Sequence, residues 1–239
     1  MTMKTTRLLS ILLAIVMTVL PASLPAQTDA SMLGDWGYGF QLGMGAQWPT
    51  GSLADDFKGN FLFTGGLTGQ YRDLRLKADV SYGQPSLKNP NPYNVTDDAG
   101  HALQVNGTSS ATHIGLGVQL GYTVLRSGRL SITPAVGGYM SHLSWEVNDI
   151  TWDVNEQGEE HFNISKVNDV SHSHFSWMAS VDFDIAVHHS LTGGGRYTSS
   201  VRVTPFIAHA SYGKLSPAVS GNYIGLTVSY AGLIRMLNY

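Results

Sequence analysis

Three groups of residues have the types and spacing that chemistry uses. In His188-His189-Ser190 an imidazole and a hydroxyl stand two residues apart, hence on one face of an extended chain. Nucleophilic catalysis needs nucleophile, base and orienting group within hydrogen-bond reach. The sequence identifies no acidic third member, and a turn is the plainer reading. His113, His142, His172 and His174 form the second group. A metal would require three or four ligands converging at bond lengths of about 2 Å, whereas solvated histidines at a rim need no convergence. The third group is charged: Arg75, Lys77 and Asp79 at alternate positions, Asp182 and Asp184 likewise, and Arg202. Gathered on one side of a sheet, they could carry an ion or a proton, or pair with one another as a structural polar plug, since an unpaired buried charge is costly. The plug is expected, with no catalytic, cofactor-binding or metal-binding residue and no cofactor.

The strands that position these residues have an unusual solvent. From Trp36 to Trp48 the even positions are Trp36, Tyr38, Phe40, Leu42, Met44, Ala46 and Trp48, and the odd positions are glycine and glutamine. Side chains alternate across a strand, so one face is apolar with an aromatic at each end and the other is small, polar and uncharged. Such a strand suits lipid outside and a crowded polar lumen inside. The run Leu74 to Tyr82 makes the same point with Leu74, Leu76, Ala78, Val80 and Tyr82 against Arg75, Lys77, Asp79 and Ser81. A charged inner face excludes an ordinary apolar core. Trp36, Trp48, Tyr71, Tyr82, Tyr122, Trp177 and Tyr239 are the aromatics expected at the two membrane interfaces.

Residues 1–26 read as a secretory signal peptide: Lys4 and Arg7, an apolar run Leu8 to Leu20, then small residues before Gln27. The run is short for a bilayer of about 30 Å, which takes about 20 helical residues. No later segment is long and apolar enough for a spanning helix, so strands must do the spanning, as a closed barrel. Residues 27–35 are expected as a periplasmic N-terminal segment and 36–239 as the barrel. The formal net charge of −3 becomes −5 without Lys4 and Arg7, which argues against nucleic acid. The chain has no cysteine, so no disulfide holds its loops. Its 27 glycines, which weaken a soluble sheet, suit the inside of a narrow barrel.

Eight alternating segments follow: 36–48, 61–71, 74–82, 112–124, 130–147, 175–187, 197–212 and 223–239. The fold expected is all-β, an eight-stranded antiparallel up-and-down transmembrane β-barrel. Connections 49–60, 83–111, 148–173 and 213–222 are long, whereas 72–73 and 125–129 are short, the asymmetry of extracellular loops and periplasmic turns. Residues 188–196 complete the set as a longer turn. Bulges are expected at Gly137-Gly138, where the phase slips before Leu143, and near Gly232. Pro134 and Pro205, lacking a donor, should sit at bulges or strand starts.

The leader, the alternating strands over 36–239 and the terminal Tyr239 resemble the small eight-stranded outer-membrane barrels of the OmpA/OmpX-like and PorT-like families. That resemblance implies the cell outer membrane of a Gram-negative envelope, with outer-membrane lipid and lipopolysaccharide around the barrel. It also implies insertion by the barrel-assembly machinery through the terminal aromatic. The His-x-Ser arrangement at His188 and Ser190 resembles that of an outer-membrane lipid A deacylase, but lies at the wrong end of the barrel. The expected role is non-enzymatic: a barrel presenting loops 84–110 and 148–173 to a protein partner, or stabilising the envelope. An accessory of protein secretion is the first alternative and a lipid-modifying enzyme the second. A lumen this narrow, filled by side chains, should not be an open porin-like channel.

Overall fold

The computed structural model describes residues 33–88, 92–96, 102–106, 111–154, 160–192, 195–212 and 219–237. The alternating segments form strands β1 (Leu33–Pro49), β2 (Asn60–Tyr71), β3 (Leu74–Gly83), β4 (Pro92–Thr96), β5 (Ala102–Asn106), β6 (Thr112–Tyr122), β7 (Leu125–Ser127), β8 (Leu130–Val154), β9 (Glu160–Thr192), β10 (Gly195–Tyr212) and β11 (Val219–Leu237). One helical turn, α1 (Leu53–Asp56), interrupts them. The main sheet runs β6-β3-β2-β1-β11-β10-β9-β8, every pair antiparallel, and β6 pairs with β8 to close it. Eight strands therefore make a ring without a free edge, the form in which a sheet can cross a bilayer. Strand β7 continues the line of β6 along β8, and β4 and β5 form a separate hairpin.

The outer ends of β1 and β11, Leu33 and Leu237, and the tight turns lie at one end of the ring, here the terminal end; the long connections leave from the other, the loop end. At the terminal end Arg72 holds the Arg72-Asp73 turn in a left-handed conformation (φ 51°) and reaches Asp35 at 3.0 Å. That ion pair raises the guanidinium pKa of Arg72. Arg126 bonds Asp73 at 2.9 Å across the next turn. Glycine permits close approach where β1 meets β11: a Cβ on Gly43 would strike Val228 O and Ser229 Oγ.

Several expected details are corrected. No bulge occurs at Gly137-Gly138; the registers of β8 with β6 and β9 run unbroken there. Leu143 keeps its inward parity and is buried, because this end of the lumen is apolar. The register is likewise continuous through Gly232, and the shift in β1–β11 falls between Leu33 and Gly37. Residues 148–173 are not a loop. β8 and β9 continue through them, paired from Asn148↔Lys166 to Val154↔Glu160, with one shift after Val147. The alternation Ile150, Trp152, Val154 and Phe162, Ile164 carries that strand signal. The stretch 84–110 contains the β4–β5 hairpin. The turn expected over 188–196 shrinks to residues between Thr192 and Gly195, so His188-His189-Ser190 is strand, with a shift beside it at Ser199/Ser200. Pro134 lies, as expected, at an irregularity: between Gly121↔Ala135 and Leu125↔Ile132 three residues face two, at the break between β6 and β7. Pro205 does not sit at a bulge; β9–β10 pairing lapses around it and resumes in the same register. The signal segment, most of 27–35 and Tyr239 lie outside the described residues.

Candidate functional site

Inward parity brings the charged residues of β3, β9 and β10 together in the terminal half of the lumen. Arg75 Nη1 donates to Asp184 Oδ2 at 2.7 Å and to Asp182 Oδ2 at 3.3 Å. Lys77 Nζ donates to Asp182 Oδ1 at 2.8 Å, and Thr204 Oγ1 to the same oxygen at 2.9 Å. Arg202 Nε donates to Asp184 Oδ1 at 2.5 Å, and its Nη1 to Gln41 Oε1. Gln41 Nε2 in turn donates to Asp79. Lys77 is 2% exposed and Asp182 0%. Three cations thus meet three carboxylates, so the buried set is formally neutral, the condition under which buried charges are tolerated. All six residues expected in the lumen belong to this one network. Above it lies a cavity of about 50 Å³ lined by Asp79, Thr64, Gln119, Tyr139, Met178 and Phe206, among others. Thr64 Oγ1 and Gln119 Nε2 have no protein partner, and the space admits water.

The loop half of the lumen holds a second polar layer that sequence reasoning missed. His113 is wholly buried, with Nε2 3.0 Å from Ser141 Oγ and Nδ1 3.2 Å from Gln47 Nε2. Ser141 also bonds Tyr212, and Tyr139 Oη is 3.4 Å from His113 Nε2. A Gln47 amide nitrogen can only donate, so with the amide in this orientation Nδ1 accepts and Nε2 carries the ring proton toward Ser141. Above this layer α1 folds into the mouth. Leu53 and Phe57 are buried with Leu143, Tyr212, Val219 and Tyr223, and the Phe57 ring meets Trp145 edge-on at 5.9 Å. The i, i+4 pair Leu53 and Phe57 in an otherwise polar connection was the available signal.

The other histidines do not gather. His142 bonds Ser173 at 2.8 Å on the outer face, whereas His172 and His174 lie opposite the inward Leu143 and Ser141. His174 meets His209, which stacks on Trp177. Among the described residues no three His, Asp or Glu side chains could hold a metal. His188 and Ser190 lie opposite Ser199 and Tyr197 on β10.

The outside is the reverse of the inside. Trp36, Leu42, Phe61, Leu67, Leu76, Val118, Leu120, Val136, Trp177, Val228 and many more apolar side chains are exposed, Trp36 by 66% and Phe61 by 82%. Trp36 and Tyr71 contact each other, ring centroids 4.7 Å apart. No soluble protein leaves such a continuous apolar belt in water.

No protein-family model matches the chain, and no curated protein does. Among solved structures, Ail, the attachment invasion locus protein of Yersinia pestis, in complex with the heparin analogue sucrose octasulfate, aligns over 84% of this chain and 99% of its own at 9% identity, TM-score 0.41. Neisserial surface protein A aligns over 84% and 96% at 12% identity, TM-score 0.39. A major outer membrane protein of Thermus thermophilus aligns over 83% and 98% at 12% identity, TM-score 0.42. Likeness this slight carries no argument; strand register and the inverted distribution of polarity do. A closed eight-stranded antiparallel barrel, apolar outside and charged within, is a small outer-membrane β-barrel.

Proposed function

We propose that this barrel is a non-enzymatic anchor that displays its loop-end hairpins to a partner protein outside the cell. The observation that carries the reading is the length of two strands. β8 has 25 residues and β9 has 33, whereas about 9–11 suffice to cross a membrane. Strand β6 accompanies β8 only as far as Ser144, and β10 accompanies β9 only from Met178. Beyond those points the two strands pair with each other alone, as a ribbon of about ten residues a side, or roughly 33 Å at strand rise. In the same reading the six-residue charge network is structural and the leader of residues 1–26 is cleaved. Trp36, Tyr71 and Tyr122 occupy the terminal-end interface, and Trp48, Tyr82 and Trp177 the loop-end one, against lipopolysaccharide.

The test is a chain with residues 147–168 replaced by a two-residue turn, expressed in the native host. The expected result is a barrel that still inserts and shifts on heating, with loss of adhesion or serum survival. Unchanged adhesion and survival with a correctly inserted barrel would refute the display role. Loss of secreted proteins on deleting the whole gene, restored by the trimmed chain, would replace it with the secretion reading.

A further inference from the structure

The charge outside the lumen network includes groups at both ends of the barrel. Among the described residues the terminal end carries Arg72, Arg126, Arg129, Arg196 and Arg235 against Asp35 and Asp73; the exposed cations near α1 are Lys58 and Lys88. Arg72 and Arg126 have the two aspartates as partners. Arg196 and Arg235 are placed differently. The β10–β11 register sets them directly opposite each other, on the parity of the inward Arg202 and Ser229, and both are half-buried. Neither has an ion-pair partner among the described residues. The stem of Arg235 crosses Gly37, where an added Cβ would stand 3.3 Å from Arg235 Cγ, so it lies over the inner face of β1. Burial first, then Arg126 and more weakly Arg75 and Arg196, disfavour the charge on the Arg235 guanidinium, and Asp73 favours it. Arg75, 4% exposed, also leaves its Nε without a hydrogen-bond partner.

Like charges directly opposite across an antiparallel pair are destabilising. Two arginines set opposite each other at a half-open mouth have the charge, and side chains long enough, to close on an anion between them. We propose that Arg196 and Arg235 form a binding site for a phosphate-type oxyanion at the terminal mouth of the barrel. The choice of arginine fits, because its planar fork donates two parallel bonds to one phosphate group where lysine offers a point charge. The phosphate has two sources: a free phosphate entering from the adjoining aqueous space, or the headgroup of a phospholipid in the leaflet at this end.

The full chain in non-ionic detergent separates them. Inorganic phosphate at fixed ionic strength, with chloride as control, is one arm. Phosphatidylglycerol doped into the micelles, with diacylglycerol as the phosphate-free control, is the other. Binding is read by phosphorus NMR line broadening and by the heat-denaturation midpoint. Wild type binds at least one probe, and R196Q/R235Q binds it at least tenfold more weakly. In chloride alone the double variant is no less stable than wild type, because the like-charge opposition has gone. Saturation by inorganic phosphate assigns a free phosphate; response to phosphatidylglycerol alone assigns the lipid. R235K, which keeps the charge but not the fork, serves if the glutamine variant does not fold, and it too binds more weakly. Binding of neither probe above its control, or equal affinity of the variants, overturns the proposal.

Discussion

Replacing Arg202 with methionine tests how the charged lumen is held. Arg202 is 5% exposed and supplies two bonds, Nε to Asp184 at 2.5 Å and Nη1 to Gln41. Methionine keeps much of the volume and removes the charge, leaving two cations, Arg75 and Lys77, with the carboxylates of Asp79, Asp182 and Asp184. Removing one partner of a buried ion pair costs about 3–5 kcal/mol. Asp184 keeps Arg75 at 2.7 Å, so the lower end, about 3 kcal/mol, is expected. Adding Asp184→Asn restores formal neutrality, and the double variant should be more stable than the sum of the singles by about 1–3 kcal/mol. Urea unfolding in lipid vesicles, followed by heat-modifiable gel mobility, measures both. An R202M barrel within about 1 kcal/mol of wild type, or strictly additive singles, would show that these charges are not coupled as described.

Phe57→Ala should cost about 3 kcal/mol, because the ring is buried in the mouth against Trp145 and the lost contacts leave a cavity. The same variant should still give no stable conductance in planar bilayers, since the His113 layer and the charge network close the lumen below it. Gly43→Ala forces a Cβ against the backbone of β11 and should cost about 1–3 kcal/mol in the same unfolding assay. Gly69→Ala, where an added Cβ meets nothing within 4 Å, should stay within about 0.5 kcal/mol. Equal effects at the two glycines would contradict the stated closeness of β1 and β11.

The ring of strands was legible because lipid and a filled lumen impose opposite chemistry on alternate residues, as in Leu74 to Tyr82 and Ile114 to Tyr122. So was membership of the charge network, since parity alone sends Arg75, Lys77, Asp79, Asp182, Asp184 and Arg202 inward. Parity says nothing about what fills the lumen at a given depth. Leu143 looked like a phase slip because an inward leucine was unexpected, yet the mouth it faces is apolar, closed by Leu53 and Phe57 from a connection read only as loop. His113 stands on an inward position by parity, but its partners Gln47, Ser141 and Tyr139 come from β1 and β8, and Tyr212, which bonds Ser141, from β10, and no local spacing brings these together. The ribbon over 148–173 was hidden by its charged and polar residues, which weigh against a strand only when the strand is assumed to lie in lipid.

The central claim, that leucines at alternating positions face lipid while the buried ones face a sealed interior, is open to direct measurement on the unaltered protein. Methyl-labelled full-length barrel in lipid nanodiscs should show nuclear Overhauser contacts from acyl-chain protons to Leu42, Leu67, Leu76, Leu116 and Leu120, all exposed on the outer face. Leu53, Leu62 and Leu143, each at most 1% exposed, should show none. Acyl-chain contacts at Leu53 and Leu143, with none at Leu116 and Leu120, would mean that the sheet is inside out and the account wrong.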